Sequence, residues 1–259
     1  MPDRMKQQHI ISHLQDQYGY FIAKRCADIL FSFFLIAVLY PWLMPILLLL
    51  IKFDSKGPVF FRQKRTGYLG KTFTCTKLRT MVVNEEADSR QATEDDARIT
   101  RIGKFLRKTG LDELPQFISV LKGDMSLIGP RPHMLQDTEH FSSLVKDYNL
   151  RHLVRPGITG MAQIKGYRGA TESLESIYRR YQWDTYYVRN SSWTLDVKIF
   201  WATVVLTLQY LIRRGPAVEG QVKLGRGLYG NLAPGPISAN VRGFAPGPGA
   251  ERPAEAPCQ

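Results

Sequence analysis

The chain has 259 residues and a net charge of +12 at pH 7. That length can bury a sizeable core in one or two domains, and the charge favours an anionic partner such as a phosphorylated substrate, an anionic lipid or nucleic acid. Its three cysteines are odd in number and far apart, which excludes a disulfide framework and a cysteine-based metal site and fits a reducing compartment.

Residues 1–23 form a leader with some helical periodicity and no assigned role. An uncharged apolar run from Ile29 to Ile51 follows. It is long enough to cross a bilayer, which takes about 20 apolar residues. A buried helix of a soluble protein is the alternative, but helices that are apolar on every side are uncommon outside membranes.

The flanks and the middle of this run bear on its topology. Basic residues flank both ends, whereas a simple span should favour one: Lys24, Arg25, Lys52, Lys56, Arg62, Lys64 and Arg65. Near the midpoint, Pro41 lacks an N–H and crowds the carbonyl of Ala37, so the helix should kink or break there. We therefore predict a re-entrant hairpin over residues 24–52 that enters and leaves on the cytoplasmic face. A kinked spanning helix is its rival.

Residues 53–214 are predicted to form a small cytosolic domain. The stretch from Lys52 to Met81 indicates a strand, a turn at Gly67 and Gly70, and a second strand. Residues 84–97 are acidic and polar and predict a surface loop or helix. RITRIGKFLRKTG then has apolar residues at helical spacing with basic residues between them.

Two adjacent acids, Asp112 and Glu113, open the next helix in GLDELPQFISVLKGDMSLIGPRP. Pro115 is tolerated only in a first turn, so this helix should begin near Leu114 and end at Gly123. GDMSLIGPRP is predicted to be loop. The acids would lie where a helix N-terminus stabilises negative charge. They have either a functional role or a structural one, in which one of them only caps the helix.

The remaining segments end in a tail. VRPGITGMAQIKGYRG is glycine-rich and basic, and ESLESIYRRYQWDTYYVRN predicts an amphipathic helix. The helix from Trp193 to Arg214 has too short an uncharged core to span a bilayer, so it lies either in the membrane interface or in the protein core. Residues 215–259 are rich in glycine and proline, which predicts disorder after about residue 233.

Paired acids beside many arginines favour phosphate chemistry, because guanidinium groups bind phosphate in a bidentate manner. The chain contains neither a phosphate-binding P-loop pattern nor a kinase signature. From the residues alone we predict Mg²⁺-assisted transfer of a phosphoryl or phosphosugar group at a membrane surface.

The chain resembles the bacterial sugar transferases, also called monotopic phosphoglycosyl transferases. The resemblance rests on RITRIGKFLRKTGLDELPQFISVLKGDMSLIGPRP, RPGITGMAQIKGYRG and YYVRNSSWTLDVKI. The similarity runs from about Lys24 to Arg214. It implies transfer of a sugar 1-phosphate from a nucleoside diphosphate sugar to a polyprenyl phosphate, and a re-entrant membrane helix broken at a proline. That break is often Ser-Pro in the family but Tyr40-Pro41 here, so its angle is expected to differ.

The resemblance also assigns roles to residues. Asp112 would be the nucleophile that takes the phosphosugar covalently, and both acids would form the Mg²⁺ site, with Glu113 helping to hold the metal. Positions around the phosphates, nucleotide or sugar would fall on Lys77, Arg107, Arg131, Gln163 and Arg168, although any of the basic ones can instead be a solvated surface charge. Asp124 either supports catalysis or is a turn residue, and we favour the turn.

The predicted fold is α+β and mostly helical, with a re-entrant membrane helix and interfacial amphipathic helices. The predicted enzyme transfers hexose 1-phosphate from UDP-glucose or UDP-galactose to undecaprenyl phosphate at the cytoplasmic face of a bacterial inner membrane, as the first membrane step of glycan assembly. Partners would be these substrates and membrane lipids, with a homodimer allowed and nucleic acid not expected. A basic membrane scaffold without chemistry is the alternative, although it leaves the acid pair unexplained.

Overall fold

The computed structural model describes residues 2–84, 91–93, 96–169 and 173–212. This part of the chain is mostly helical and contains two small two-stranded sheets, as the predicted α+β class requires. The tail over residues 215–259, for which disorder is predicted, lies outside the described residues, and so does most of the acidic stretch within 84–97.

Two helices make up the N-terminal part. Helix α1 runs over Pro2–Asp16 and α2 over Tyr18–Asp54, so the apolar helix begins at Tyr18 rather than at Lys24. Helix α2 continues through Pro41 and Pro45, so the predicted break in helical structure at Pro41 is wrong. Each of these prolines removes one backbone hydrogen bond, but the apolar residues around them still favour a continuous helix. A kink at Pro41 stays a prediction.

Among the described helices, α2 alone is long and apolar enough to cross a membrane, with a mean hydropathy of 2.5 over its most apolar window. Only 17 % of that window is buried within the protein. The buried positions of α2 lie towards its two ends: Lys24, Asp28, Ser32, Met44, Leu47 and Ile51. The stretch between Ser32 and Met44 has no buried residue, so its apolar surface is available to lipid.

The β-hairpin predicted between Lys52 and Met81, a strand, a turn and a second strand, is confirmed. Strand β1 covers Phe60–Thr66, a tight turn covers Tyr68–Gly70, and antiparallel β2 covers Thr72–Leu78. Leu78 packs with the second half of α2 in a core cluster that also contains Leu106 and Leu114. The β-hairpin is thereby packed against the C-terminal half of α2.

Helix α3 (Arg101–Thr109) also forms as predicted and joins this region. The Thr100 hydroxyl accepts a hydrogen bond from the backbone N–H of Gly103, and the Asp54 carboxylate accepts one from the N–H of Ile102. These acceptors satisfy two otherwise unpaired donors at the start of α3. The end of α2 is thus attached to α3. Helix α4 follows over Gln116–Lys122.

A second sheet joins GDMSLIGPRP to the glycine-rich segment VRPGITGMAQIKGYRG, so the loop predicted for GDMSLIGPRP is wrong where it forms a strand. Strand β3 (Ser126–Ile128) pairs in parallel with β4 (Gly157–Thr159). Glycine is required here because a β-carbon on Gly157 would lie 2.1 Å from the backbone nitrogen of Gly129. Strands of three residues are too short to show an alternating pattern, which is why the sequence did not reveal them.

Four helices complete the domain: α5 (Leu135–Leu144), the short α6 (Met161–Ile164), α7 (Leu174–Asn190) and α8 (Trp193–Ile212). The amphipathic helix predicted over ESLESIYRRYQWDTYYVRN is confirmed as α7, and the Ser173 side chain caps its first turn. Helices α5 and α6 were not predicted, because each is short and the residues around them are rich in turn-formers.

Helix α8 has features of both predicted alternatives, a helix in the protein core and a helix in the membrane interface. One side is buried in the main core cluster, whereas the other exposes large apolar side chains. The buried residues are Leu195, Ile199 and Ala202, and the exposed ones include Val197, Trp201, Val205 and Leu208. The ring of Phe200 lies 6.0 Å from that of Phe31 on α2, so the exposed apolar surfaces of the two helices adjoin.

Candidate active site

The two acids lie in a tight turn between α3 and α4. Gly110 ends α3 with a positive φ of 74°, a conformation that glycine adopts without strain, and Leu111–Glu113 then form a single 3₁₀ turn. Helix α4 begins at Gln116, close to the predicted start near Leu114, and ends at Gly123 as predicted. Neither acid's side chain caps α4 or the 3₁₀ turn, so capping does not explain the pair.

The leucines on either side of the acids attach this turn to the apolar helix. Leu111 and Leu114 both belong to the cluster built on Met44, Leu47 and Ile51 of α2. The acids between them are almost fully buried, with Asp112 7 % and Glu113 8 % exposed. The acid pair therefore lies beside the apolar helix α2, because the leucines of its turn pack against that helix.

Glu113 is held by two cations. Its Oε1 atom accepts a hydrogen bond from Lys77 Nζ at 2.8 Å and another from an Arg131 guanidinium nitrogen at 2.9 Å. Burial alone would raise the pKa of Glu113, but the charges of Arg131, Lys77 and Arg168 outweigh it and hold that pKa well below its usual value. Glu113 is therefore ionised at neutral pH.

Asp112 has a different environment. Among the described residues, none donates a hydrogen bond to its carboxylate or forms an ion pair with it. Burial raises its pKa, as does the Glu113 charge, while Lys77, Arg107 and Arg131 act in the opposite direction without cancelling the shift. The pKa of Asp112 is thus raised while that of Glu113 is lowered. Such opposite shifts are typical of two carboxyl groups with different chemical roles.

Two more of the predicted basic residues approach the acids. Arg107 lies at the end of α3 and its charge acts on Asp112. Arg168 acts on Glu113 and comes so near Gly110 that a β-carbon there would lie 3.8 Å from its guanidinium. The structure therefore brings Lys77, Arg107, Arg131 and Arg168 together around the acid pair.

Gln163 and Asp124 do not join this group. The Gln163 side-chain amide donates to the carbonyl of Ile158, and its buried amide oxygen has no partner among the described residues. Asp124 follows Gly123, whose φ of 95° ends α4, and the backbone N–H of Asp124 donates to the carbonyl of Ser119. The turn role predicted for Asp124 agrees with this geometry.

Arginines that the sequence did not connect with the acid pair support the loops carrying the site. Arg151 donates to the backbone carbonyl of Arg131 at 2.6 Å and forms a fully buried ion pair with Asp184 at 2.7 Å. From the other side, Arg65 donates to the carbonyl of Pro132 at 2.7 Å. The backbone that carries the Arg131 side chain is thus fixed at two neighbouring carbonyls.

The loop carrying Arg168 has a similar support. Arg180 on α7 donates to the carbonyl of Gly169 at 2.6 Å, and burial lowers its pKa to about 10, so it stays charged at neutral pH. In the sequence, Arg179 and Arg180 look alike as polar positions of an amphipathic helix. Only their helical phase distinguishes them: Arg180 is buried, whereas Arg179 forms a loose, partly exposed ion pair with Glu175 at 3.7 Å.

The acid pair can supply ligands for Mg²⁺. Within the described ranges, no group of three or more His, Cys, Asp or Glu residues forms a metal site. Mg²⁺ is commonly held by one or two carboxylates, with waters and substrate phosphates completing the shell. Both carboxylate oxygens of Asp112 and the Oε2 atom of Glu113 accept no hydrogen bond from the part of the chain that the structure describes. The residues therefore fit Mg²⁺ once a phosphorylated substrate adds negative charge.

Comparison with known proteins places this geometry in context. Residues 19–210 match the model of the family described as bacterial sugar transferase. The UDP-glucose:undecaprenyl-phosphate glucose-1-phosphate transferase of Klebsiella pneumoniae is 48 % identical over 184 residues, which are 71 % of this chain but only 39 % of that relative. The enzyme of the same name from Caulobacter vibrioides is 42 % identical over 71 % of this chain and 68 % of its own length.

A further relative has a different sugar in its name. The UDP-N-acetylgalactosamine-undecaprenyl-phosphate N-acetylgalactosaminephosphotransferase of Aeromonas hydrophila is 42 % identical over 71 % of this chain and 43 % of its own length. Relatives of equal identity thus differ in the sugar that their names give.

Proposed function

Since the chain belongs to the bacterial sugar transferase family, we propose that it transfers a hexose 1-phosphate from a UDP-hexose to undecaprenyl phosphate and releases UMP. The observation that carries the proposal is the buried Asp112 carboxylate, which has no hydrogen-bond donor of its own within the described residues and is influenced by the charges of three cations, Lys77, Arg107 and Arg131. A carboxylate that is not tied into a salt bridge can attack, and the surrounding cations can hold a diphosphate beside it.

Transfer would take place in two displacements at one phosphorus. A carboxylate oxygen of Asp112 attacks the phosphorus next to the sugar, and the bond from that phosphorus to the bridging oxygen breaks, so UMP leaves with the electron pair. An oxygen of undecaprenyl phosphate then attacks the same phosphorus and releases the Asp112 carboxylate. The products are UMP and undecaprenyl diphosphate hexose, and the enzyme is regenerated.

The cations offset the repulsion that an anionic nucleophile meets at a diphosphate. Lys77 and Arg131 hold Glu113 and keep further donors for phosphate oxygens, and Arg107 and Arg168 extend the positive surface. Mg²⁺ held by both acids would neutralise part of the diphosphate charge. Arg65, Arg151 and Arg180 fix the loops in place before substrate arrives, so little reorganisation is needed during reaction.

The central experiment is a UMP-release assay on purified protein in lipid with undecaprenyl phosphate. We expect Mg²⁺-dependent release from UDP-glucose, with UDP-galactose and UDP-N-acetylgalactosamine compared at equal concentration. Glucose is proposed first because it is the sugar in the names of the first relatives, and galactose is the alternative because the GYRG pattern at Gly166 to Gly169 resembles the glucose or galactose branch of the family. A protein that binds anionic lipid but releases no UMP from any UDP-sugar would be the scaffold instead.

We also propose that both ends of α2 lie on the cytoplasmic side of a bacterial inner membrane. Near its start, Lys24 forms an ion pair with Asp196 of α8 at 2.9 Å, and Asp28 accepts hydrogen bonds from Ser126 and Leu127 of β3. At its end, Asp54 accepts from Ile102 of α3. A domain on one side of a bilayer cannot contact both ends of a helix that crosses it, so these contacts support a re-entrant arrangement.

Cysteine labelling tests this topology. Gln15→Cys and Lys56→Cys, introduced singly after the native cysteines are replaced, should both resist an impermeant thiol reagent in intact cells and react once the membrane is permeabilised. The reason is that both sites adjoin a domain held at the cytoplasmic face. Labelling of Gln15→Cys in intact cells, with Lys56→Cys protected, would instead establish a helix that spans the bilayer.

A further inference from the structure

One hydrogen bond joins the apolar helix directly to the acid turn. The Tyr40 hydroxyl on α2 donates to the backbone carbonyl of Leu114 at 2.6 Å. The same carbonyl accepts from the N–H of Phe117 at 3.1 Å, at the start of α4. Tyr40 therefore contacts the point where the acid turn ends and α4 begins, directly after Glu113.

The packing around this bond restricts the turn further. Tyr40 lies in the same apolar cluster as Leu111 and Leu114, and that cluster is built on Met44 and Leu47 of α2. Apolar contacts limit the distance between the turn and the helix but allow sliding, because they have no preferred direction. A hydrogen bond is directional, so the Tyr40 bond adds a fixed register between the two.

The position of Asp112 depends on this register more than that of Glu113 does. Two cations hold the Glu113 side chain in place. Among the described residues, no donor holds the Asp112 carboxylate, so the backbone of its own turn determines where it lies. Tyr40 fixes that backbone from the side of the apolar helix, and a serine at position 40 would be too short to reach the Leu114 carbonyl.

We propose that Tyr40 is a positioning residue, which sets the Asp112 carboxylate for attack by tying the acid turn to the membrane helix. This inference rests on the proposed function, because it assigns Tyr40 to the same reaction. It makes α2 part of the active-site framework as well as an anchor. It also gives a reason for tyrosine at a position where the family often has serine before the proline.

Tyr40→Phe removes only the hydroxyl and keeps the ring in the cluster, so it tests the bond itself. In the UMP-release assay, we expect kcat to fall roughly three- to tenfold with the KM for UDP-glucose unchanged, because substrate contacts remain while attack geometry loosens. Single-turnover formation of the covalent adduct should slow by the same factor. Thermal midpoint and recovery in the membrane fraction should stay close to wild type.

Trp42→Phe is the matched control. It changes a neighbouring aromatic residue of the same helix that is 79 % exposed and belongs to no core cluster of the described chain, so kcat should not change. The proposal is overturned if Tyr40→Phe keeps wild-type kcat, if only its KM changes, or if Trp42→Phe loses as much kcat. A wild-type protein without UMP release would instead overturn the proposed function, which separates the two failures.

Discussion

Asp112→Asn is expected to lower turnover at least about a thousandfold, the scale of losing a covalent nucleophile. Asparagine keeps the size of the side chain but has no anionic oxygen to attack phosphorus, and added Mg²⁺ should not restore the rate. Burial and the Glu113 charge raise the pKa of Asp112. Since only the ionised form attacks, the wild-type rate should fall as pH is lowered through that raised pKa.

Asp124→Asn serves as the control for this variant. Asp124 is also an acid next to α4, but it lies beyond the other end of that helix, in the turn after Gly123, and no hydrogen bond or ion pair among the described residues joins it to the acid pair. Its replacement should leave UMP release near the wild-type rate. Full turnover in Asp112→Asn would mean that the buried acid pair is structural and that the chemistry lies elsewhere.

Glu113→Gln is expected to reduce turnover roughly a hundredfold, with the remaining activity needing more Mg²⁺. Glutamine removes the negative charge that Lys77 and Arg131 share and weakens the oxygen set available to the metal. Those cations can then reorient, so substrate phosphates meet a less ordered site. The measurement is UMP release over a Mg²⁺ titration.

Two comparisons separate chemistry from folding in Glu113→Gln. The variant leaves buried positive charge uncompensated, so its thermal midpoint should also fall. Glu113→Asp retains the charge on a shorter side chain. Its thermal midpoint should therefore be close to that of the wild type, while its turnover remains reduced. Glu113→Gln with a normal rate and a normal Mg²⁺ requirement would contradict the role proposed for this residue.

The parts of the fold that the sequence predicts are those with a strong local signal. The apolar run of α2, the hairpin turn at Gly67 and Gly70, and the periodicity of α3 each depend on neighbouring residues. The acid pair was found for the same reason, because adjacent carboxylates beside a proline are visible in a short stretch. Of the kink or break predicted at Pro41, the break is wrong, since the hydrogen bonds missing at Pro41 and Pro45 do not end a long helix that is otherwise favoured; the kink stays a prediction.

The parts that could not be predicted depend on contacts between distant segments. Strands β3 and β4 pair across the Arg131 loop and α5, and their close approach depends on glycines that look like loop residues. Nothing local distinguishes the buried Arg180 from the half-buried Arg179, and nothing local connects Tyr40 with Leu114. Such contacts can be predicted only when the whole fold is known. Lys77 and Arg131 also depend on distant contacts, but the family resemblance identified them.

The most direct test of the account is the mass of the purified protein after incubation with UDP-glucose and Mg²⁺, without acceptor. We predict that the wild-type protein gains the mass of one hexose phosphate, that the added mass maps to the peptide containing Asp112, and that undecaprenyl phosphate removes it. Asp112→Asn should gain nothing. A hexose phosphate adduct on Asp112→Asn, or on a peptide without Asp112 in the wild-type protein, would contradict the account.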